Sequence, residues 1–221
     1  MKISEETFDV LKNFSTINPS ISIKQGNVIR TISEQKNILS QKVVSESFPQ
    51  EFAVYDLNQF LGLVSLFKEP EFSFGEKEVS IIGGSAKSRY TFTDPSMVTS
   101  PPEKNIELID PEVCFNMPYA SLKSIINGAN QLSLPEIVVR GENGKIFLVA
   151  TNAKNTTTNE FSVEVGETNA TFNMIFKTEN LKFMSYDYQV KISSKGVAQF
   201  SSEENSLDYW VATEAGSEYH G

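Results

Sequence analysis

The residue types that most often carry out catalysis are scarce in this chain of 221 residues. The only histidine is His220, next to the last residue, and the only cysteine is Cys114. One histidine and one cysteine cannot form a Cys/His zinc site, an internal disulfide or a catalytic triad of the usual kind. We therefore predict a protein without catalytic residues, metal or cofactor.

Carboxylates, which can act as acids, bases or metal ligands, are plentiful. Glu203 and Glu204 are adjacent, and Glu76 lies close to Glu78. Such pairs serve as metal ligands or glycosidase acids in other proteins, but they are more often solvated turn residues. No glycine-rich phosphate loop of the GxxxxGK[S/T] or GxGxxG type occurs. An enzyme with scattered carboxylates is therefore the least favoured alternative.

The formal net charge is −9, from 28 acidic and 19 basic residues. Binding to a nucleic acid backbone depends on Lys and Arg, so the sum of the charges argues against such a partner, and the placement of the lysines must decide. No apolar run approaches the roughly 20 residues of a membrane-spanning helix, and residues 1–17 are too acidic for a signal peptide. We expect a cytoplasmic protein with no membrane partner.

Hydrophobic periodicity predicts the same series of elements twice. In the first half it predicts helices at 4–14 and 57–67, two strands within 21–29 around a tight turn at 25–27, and strands at 38–44, 52–55, 71–74, 79–82 and 89–92. In the second half it predicts helices at 119–132 and 178–184 and strands at 137–139, 146–150, 161–165, 172–176, 188–192, 197–200 and 209–212, with a hairpin turn at 141–144 between the first two strands. Matched positions such as Leu11 and Ile125, or Phe52 and Phe172, are offset by about 114–120 residues, which indicates an internal duplication.

This order predicts an α+β fold of two similar halves, 1–93 and 112–221. Between them, the connector 94–111 contains four prolines, which disfavour helix and central strand. Each half has one helix-covered face and one sheet face. If outermost strands pair head to tail from half to half, the assembly can close into a ring with helices inside and sheets outside.

Four stretches resemble the sliding clamps of T-even-type bacteriophages. They are MKIS and LKNFSTIN within residues 1–18, FAVYDLNQFLGLVSL at 52–66, TDPSMV at 93–98 and WVATEA at 210–215. The resemblance implies the DNA-clamp fold and a homotrimeric ring that encircles double-stranded DNA and tethers the replicative DNA polymerase by its C-terminal tail. It also implies an ATP-driven clamp loader, support of late transcription by the host RNA polymerase, and action in the cytoplasm of the infected bacterium.

A clamp must slide, so it should contact phosphates only, and weakly. The candidate DNA-facing residues are therefore the lysines on or near the helices: Lys2, Lys12, Lys123, Lys177 and Lys182. The first helix also carries three acidic residues, and for any one of these lysines an ordinary solvated helix face is an equally favoured interpretation. We expect a mildly positive hole and an acidic outer surface.

Two protein contacts also follow from the resemblance. A partner-peptide pocket would lie between the halves, formed by Met97, Val98, Pro101, Trp210 and Ala212, and it would take an apolar or aromatic anchor. Ordinary core packing is the alternative role for Trp210.

The subunit interface would place residues 89–92 of one chain beside residues 159–165 of the next. Its candidate residues are Arg89, Phe92, Glu160, Phe161 and Val163, with Glu164 as a further charge. Exposed ion pairs there would contribute little. The rival interpretation is a non-catalytic β-rich structural or protein-interaction protein. The helical periodicity at 57–67 favours the clamp over it, because a β-sandwich would lack that periodicity.

Overall fold

The structure is a computed structural model that describes residues 1–104, 108, 110–155 and 157–221. The chain divides into two compact units, Met1–Lys104 and Asn105–Gly221. The division falls within the segment 94–111, of which residues 105–107 and 109 lie outside the described residues. The boundaries 1–93, 94–111 and 112–221 remain a proposal.

The first unit contains helix α1 (Glu5–Ile17) and helix α2 (Leu57–Val64). Its strands are β1 (Ile21–Ile23), β2 (Gly26–Ile32), β3 (Ile38–Phe48), β4 (Phe52–Val54), β5 (Glu71–Phe74), β6 (Glu78–Gly83) and β7 (Ala86–Thr91). Strand β1 pairs with β4, β2 pairs with β3, and β5, β6 and β7 form a three-stranded sheet, all antiparallel. In that sheet β7 is an outermost strand.

Helix α1 begins where the sequence predicts. The Ser4 side chain caps it by accepting a hydrogen bond from the Thr7 N–H at 3.2 Å, and acidic residues in the first turn favour the positive end of the helix dipole. Its core side is a stripe of buried apolar side chains: Val10, Leu11, Phe14 and Ile17. This spacing of three and four residues turns one face of the helix towards the core.

The second unit contains strand β8 (Val113–Met117), helix α3 (Tyr119–Gln131) and the strands β9 (Glu136–Glu142), β10 (Lys145–Thr151), β11 (Phe161–Glu167), β12 (Phe172–Lys177), β13 (Tyr188–Ser193), β14 (Val197–Ser202), β15 (Leu207–Ala212) and β16 (Glu218–Tyr219). One antiparallel sheet has the order β11-β10-β9-β12-β16, so β11 is an outermost strand. The other strands pair in the order β15-β14-β13-β8.

The predicted hairpin at 141–144 is confirmed. Glu142 pairs with Lys145, so Asn143 and Gly144 alone make the turn between β9 and β10. Both have positive φ, 52° and 82°, which is the backbone geometry that tight hairpins require and that Asn and Gly adopt most readily.

The duplicated α+β plan is confirmed element by element. In each unit a first helix is followed by four strands, a helical segment and three strands. The segments before the first helices also correspond. Strand β8 precedes α3 and pairs with β13, and Lys2 precedes α1 and bridges to Glu71 of β5. No described helix is long and apolar enough to cross a membrane.

The fourth predicted helix is wrong. Of residues 178–184, only Thr178–Asn180 is helical, as one 3₁₀ turn. The ring of Phe183 packs against Phe200 and Tyr209, with centroids 4.6 and 4.7 Å apart. The Met184 N–H donates to the Tyr209 hydroxyl at 3.2 Å, so a side chain takes the place of a helical hydrogen-bond partner. Tertiary packing thus overrides the local apolar spacing.

Candidate functional site

In the first unit, the two predicted DNA-facing lysines are each paired with carboxylates. The Lys12 ammonium lies 2.9 Å from Asp9, and the Lys2 ammonium lies 3.8 Å from Glu69 and 4.0 Å from Glu71. Both lysines are exposed at the mouth of a cleft between α1 and α2. The pairing lowers the net positive charge that either lysine presents to an anion.

The N-terminal end of α1 is held by strand β3. The Lys42 side chain is only 4% exposed, and its ammonium contacts the Glu6 carboxylate at 2.6 Å. Glu46 accepts hydrogen bonds from the Thr7 hydroxyl at 2.6 Å and from the Ser4 N–H. Burial by itself would raise the pKa of Glu46, but the hydrogen bonds from Thr7 and Ser4 outweigh burial and lower it.

The second unit presents its cations differently. Lys123 lies on the exposed side of α3, which has no acidic residue. Lys177 ends β12, and Lys182 follows the 3₁₀ turn; both are half-buried and line one cleft. Lys154 lines the same cleft from the loop after β10. Sequence reasoning missed Lys154 because it searched the helices, and a lysine in a loop after a strand gave no signal of its own.

The residues predicted for a partner-peptide pocket belong to separate elements. A 3₁₀ turn, Pro95–Met97, opens the connector and is capped by Asp94, which accepts the Ser96 N–H at 2.9 Å; this hydrogen bond lowers the pKa of Asp94. The Met97 side chain is 65% exposed, whereas Val98 is buried and Pro101 half-buried.

On β15, Trp210 is buried and Ala212 is half-buried. The indole Nε1 of Trp210 has no hydrogen-bond partner among the described residues. Its burial fits the alternative of a core tryptophan, and a role in a pocket with the connector stays a prediction.

Arg30 is a functional candidate that sequence reasoning missed. Its Nη1 donates to the carbonyl of Pro102 at 2.7 Å and lies 3.4 Å from that of Glu103. Burial lowers the pKa of the guanidinium. Arg30 therefore anchors the first part of the connector to β2. A lone arginine just after a predicted strand gave no hint of this role.

The predicted interface residues lie on or next to two outermost strands. On β7, Arg89 is exposed and its Nε lies 3.5 Å from Glu78. Phe92 follows the strand and packs inside its own unit, with its ring 5.0 Å from that of Phe52. Its aromatic contacts thus belong to the core of the first unit.

Near β11, Glu160 is 3.3 Å from Arg140, and Glu164 is 2.6 Å from Lys145. Phe161 is 36% exposed, and its ring lies so close to Gly128 of α3 that a Cβ at that glycine would overlap it. Val163 is half-buried. The carboxylates are therefore paired within one chain. Strands β7 and β11 each have one backbone edge that pairs with no described strand in their sheets.

No catalytic cluster comes together in the described part of the chain. No group of three or more His, Cys, Asp or Glu residues that could hold a metal ion is found among the described residues. His220 is exposed near the end of the chain, 3.2 Å from Glu218, and Cys114 is exposed on β8. Glu203 and Glu204 lie in the exposed turn after β14.

Comparisons with known proteins agree on one family. Residues 4–87 match the family described as DNA polymerase processivity factor, and residues 115–215 match the family described as gp45 sliding clamp, C terminal. The sliding clamp of Vibrio phage KVP40 is 36% identical over 97% of this chain and 100% of its own length. That of Enterobacteria phage T4 is 29% identical, with 98% of each chain covered.

The fold agrees with these relatives. The structure of A. fulgidus PCNA with the bound C-terminal region of FEN-1 superposes with a TM-score of 0.70 at 12% identity, covering 96% of both chains. The predicted clamp fold is confirmed. Processivity factors are non-catalytic, so the prediction of a non-enzyme is also confirmed. The chain belongs to the phage sliding clamps, the DNA polymerase processivity factors of phage replication.

Proposed function

We propose that three copies of this chain form a closed ring around double-stranded DNA, with β7 of one copy paired to β11 of the next. The observation that carries the proposal is that each unit has a sheet whose outermost strand has one edge unpaired among the described strands. Strand β7 is an outermost strand of its sheet, β11 is an outermost strand of another, and both are more exposed than the strands beside them. Such edges are templates for a further strand.

The pairing of β7 with β6 shows which backbone N–H and C=O groups of β7 are left without a strand partner in the described part of the chain. The Phe92 N–H donates to the Lys77 carbonyl, towards β6. Backbone groups alternate in direction along an antiparallel strand, so those of Arg89 and Thr91 point away from β6. These are the groups that a strand of the next subunit would pair with. Head-to-tail pairing of two different edges gives a closed ring when the rotation per subunit permits.

The test is sedimentation of Arg89→Pro. Proline removes an outward N–H and leaves the inward hydrogen bonds of β7 in place, and edge strands tolerate it. We expect the wild-type protein to sediment at three times the mass of the 24.6 kDa chain and the variant at the mass of one. Arg89→Glu is the control for charge, because an exposed pair contributes little. An Arg89→Pro protein that still forms the full trimer would contradict β7–β11 pairing.

The polymerase contact is proposed at the connector and β15. Met97 supplies an exposed apolar side chain, and Arg30 fixes the chain that follows it. The A. fulgidus relative binds a C-terminal region of another protein, which supports a tail-binding role here. A tail with an apolar or aromatic anchor would contact Met97 of the connector, and Ala212 of β15 is the second residue proposed for tail binding.

Peptide binding measured by fluorescence anisotropy tests this site. Met97→Glu and Ala212→Asp should each weaken binding of a polymerase C-terminal peptide by about 30-fold, the effect of removing one hot-spot side chain. Val98→Asp is less suitable, because Val98 is buried and a charge there would destabilise the fold. Leu66→Glu, at a 77% exposed position of the first unit, is the control. Unchanged peptide affinity in both variants would exclude the site.

The remaining partners follow from the ring. A closed ring cannot thread onto circular DNA unaided, so a clamp loader must open it. We also propose that the clamp supports late transcription by the host RNA polymerase, and that it acts in the cytoplasm of the infected bacterium. Processive synthesis on primed circular DNA that requires both this protein and a loader is the functional test.

A further inference from the structure

Each unit contains a cleft beside its first helix, and the two clefts differ in charge. The first, of about 550 Å3, is lined by Lys2 and Lys12 but also by Glu5, Asp9 and Glu69. The second, of about 850 Å3, lies beside the end of α3. Its charged lining residues are Lys154, Lys177, Lys182, Glu136 and Glu179. Acids thus outnumber lysines in the first cleft, and lysines outnumber acids in the second.

A helical segment contributes to each cleft, and the two segments differ in length. In the first unit α2 runs for eight residues, from Leu57 to Val64, and its Leu61 and Val64 line the first cleft. In the second unit the corresponding segment is the 3₁₀ turn Thr178–Asn180, of three residues. Lysines on β12, after the turn and in the loop after β10 line the second cleft.

The lysines of the two clefts also differ in their ion pairing. Lys2 and Lys12 are ion-paired with acids of their own cleft. Within the described part of the chain, neither Lys154 nor Lys177 takes part in an ion pair. Of the acids in the second cleft, Glu136 is buried and accepts the Ala153 N–H at 2.6 Å, which commits one of its oxygens to the backbone.

The helices beside the two clefts differ in charge in the same direction as the clefts. Helix α3 carries one charged residue, Lys123, which lies on the same exposed stripe as the cleft residues Ile126 and Asn130 at spacings of three and four. Helix α1 carries Glu5, Glu6 and Asp9 against Lys12. A phosphate approaching α3 therefore meets a cation next to a cationic cleft, whereas one approaching α1 meets net negative charge.

We infer that the second unit alone holds the DNA backbone, and that the cleft of Lys154, Lys177 and Lys182 is a binding site for a backbone phosphate of the duplex. The inference rests on the proposed function, in which the helix faces are turned to the DNA. Each ring of three chains would contact DNA at three cationic clefts, one in each second unit. Few contacts of this kind hold the duplex without impeding sliding.

Duplex affinity measured against salt concentration tests the inference. The variant Lys154→Gln with Lys177→Gln should weaken binding of a short duplex at low salt by about tenfold, and the slope of log affinity against log salt should fall by about 0.9 for each phosphate that the variant no longer neutralises. The matched variant Lys2→Gln with Lys12→Gln removes the same charge and should lower affinity by no more than about threefold, with a slope close to wild type, because both lysines are paired with acids of their own cleft. Equal losses of affinity in the two variants, or no loss in the first, would overturn the inference.

Two further measurements separate this outcome from failure of the clamp itself. Both variants change exposed or half-buried side chains, so their melting temperatures and trimer masses should match wild type. If wild-type protein forms a trimer and supports loader-dependent synthesis while the first variant keeps its duplex affinity, the cleft alone is wrong. If wild-type protein neither forms a trimer nor supports synthesis, the proposed ring is wrong and the cleft inference fails with it.

Discussion

Helices α1 and α3 occupy the same place in the duplicated plan, yet they are anchored by different charges. The first turn of α1 is tied to β3 by the Lys42–Glu6 pair and by Glu46, which accepts hydrogen bonds from Ser4 and Thr7. At the start of α3, one carboxylate outside the helix, Asp187, accepts the Tyr119 N–H at 2.7 Å.

This difference in anchoring bears on the surface charge of the two helices. One anchor of α1, Glu6, is part of the helix itself, so this contact adds a negative charge to the helix. The anchor of α3 lies elsewhere in the chain, which leaves the helix surface with Lys123 and no acid. Two units of one topology can therefore take opposite electrostatic roles, because topology is set by the buried stripes and charge by the exposed positions.

The largest expected effect comes from breaking the anchor of α1. Glu6→Ala leaves the buried Lys42 ammonium without its 2.6 Å partner and should lower the free energy of unfolding by about 3 kcal/mol. Adding Lys42→Met should recover most of that loss, because neither charge then remains buried. Urea unfolding measures both. A Glu6→Ala protein as stable as wild type would show that the pair does not anchor α1.

A smaller loss is expected in the second unit from Phe183→Ala. The half-buried ring packs on Phe200 and Tyr209, so its removal should lower the free energy of unfolding by about 2 kcal/mol. Hydrogen exchange at the Met184 N–H, which donates to Tyr209, should become faster. Leu66→Ala, at an exposed position of the first unit, is the control with little effect. Unchanged exchange at Met184 would mean that another contact keeps this segment out of the helix.

The stability that Glu46 contributes at the start of α1 should depend on pH. The pKa of Glu46 is lowered in the folded protein from its ordinary 4.5, so its contribution to stability is present above that value and is lost as pH falls through the lowered pKa. Glu46→Gln should cost about 1 kcal/mol at pH 7 and less at pH 3. Thermal unfolding across this range measures it, and an equal cost at both pH values would refute the assignment.

The smallest effect is expected from Asp9→Asn, which releases Lys12 from its 2.9 Å ion pair. Both side chains are exposed, so stability should change by less than about 0.5 kcal/mol. Duplex affinity should rise about twofold, because the α1 surface loses one negative charge. Anisotropy at low salt checks this. A fall in affinity would show that Asp9 does not oppose DNA at this helix.

Much of the fold was predictable because local pattern and burial agree. The stripe of Val10, Leu11 and Phe14 and the Asn143-Gly144 turn have short-range causes, and both are as the sequence indicates. Residues 178–184 show the opposite case. Their apolar spacing suits a helix, but partners on β14 and β15, far along the chain, hold Phe183 and Met184.

The candidate sites divide in the same way. The sequence by itself determined the family, the duplicated α+β plan and the absence of catalytic motifs, since these depend on the order and types of residues. Only the tertiary structure decided which lysines are neutralised by acids, that Lys154 joins Lys177 and Lys182 at one cleft, and that Arg30 holds the connector. These features are distances between residues far apart in the chain, and a one-dimensional pattern contains no such distances.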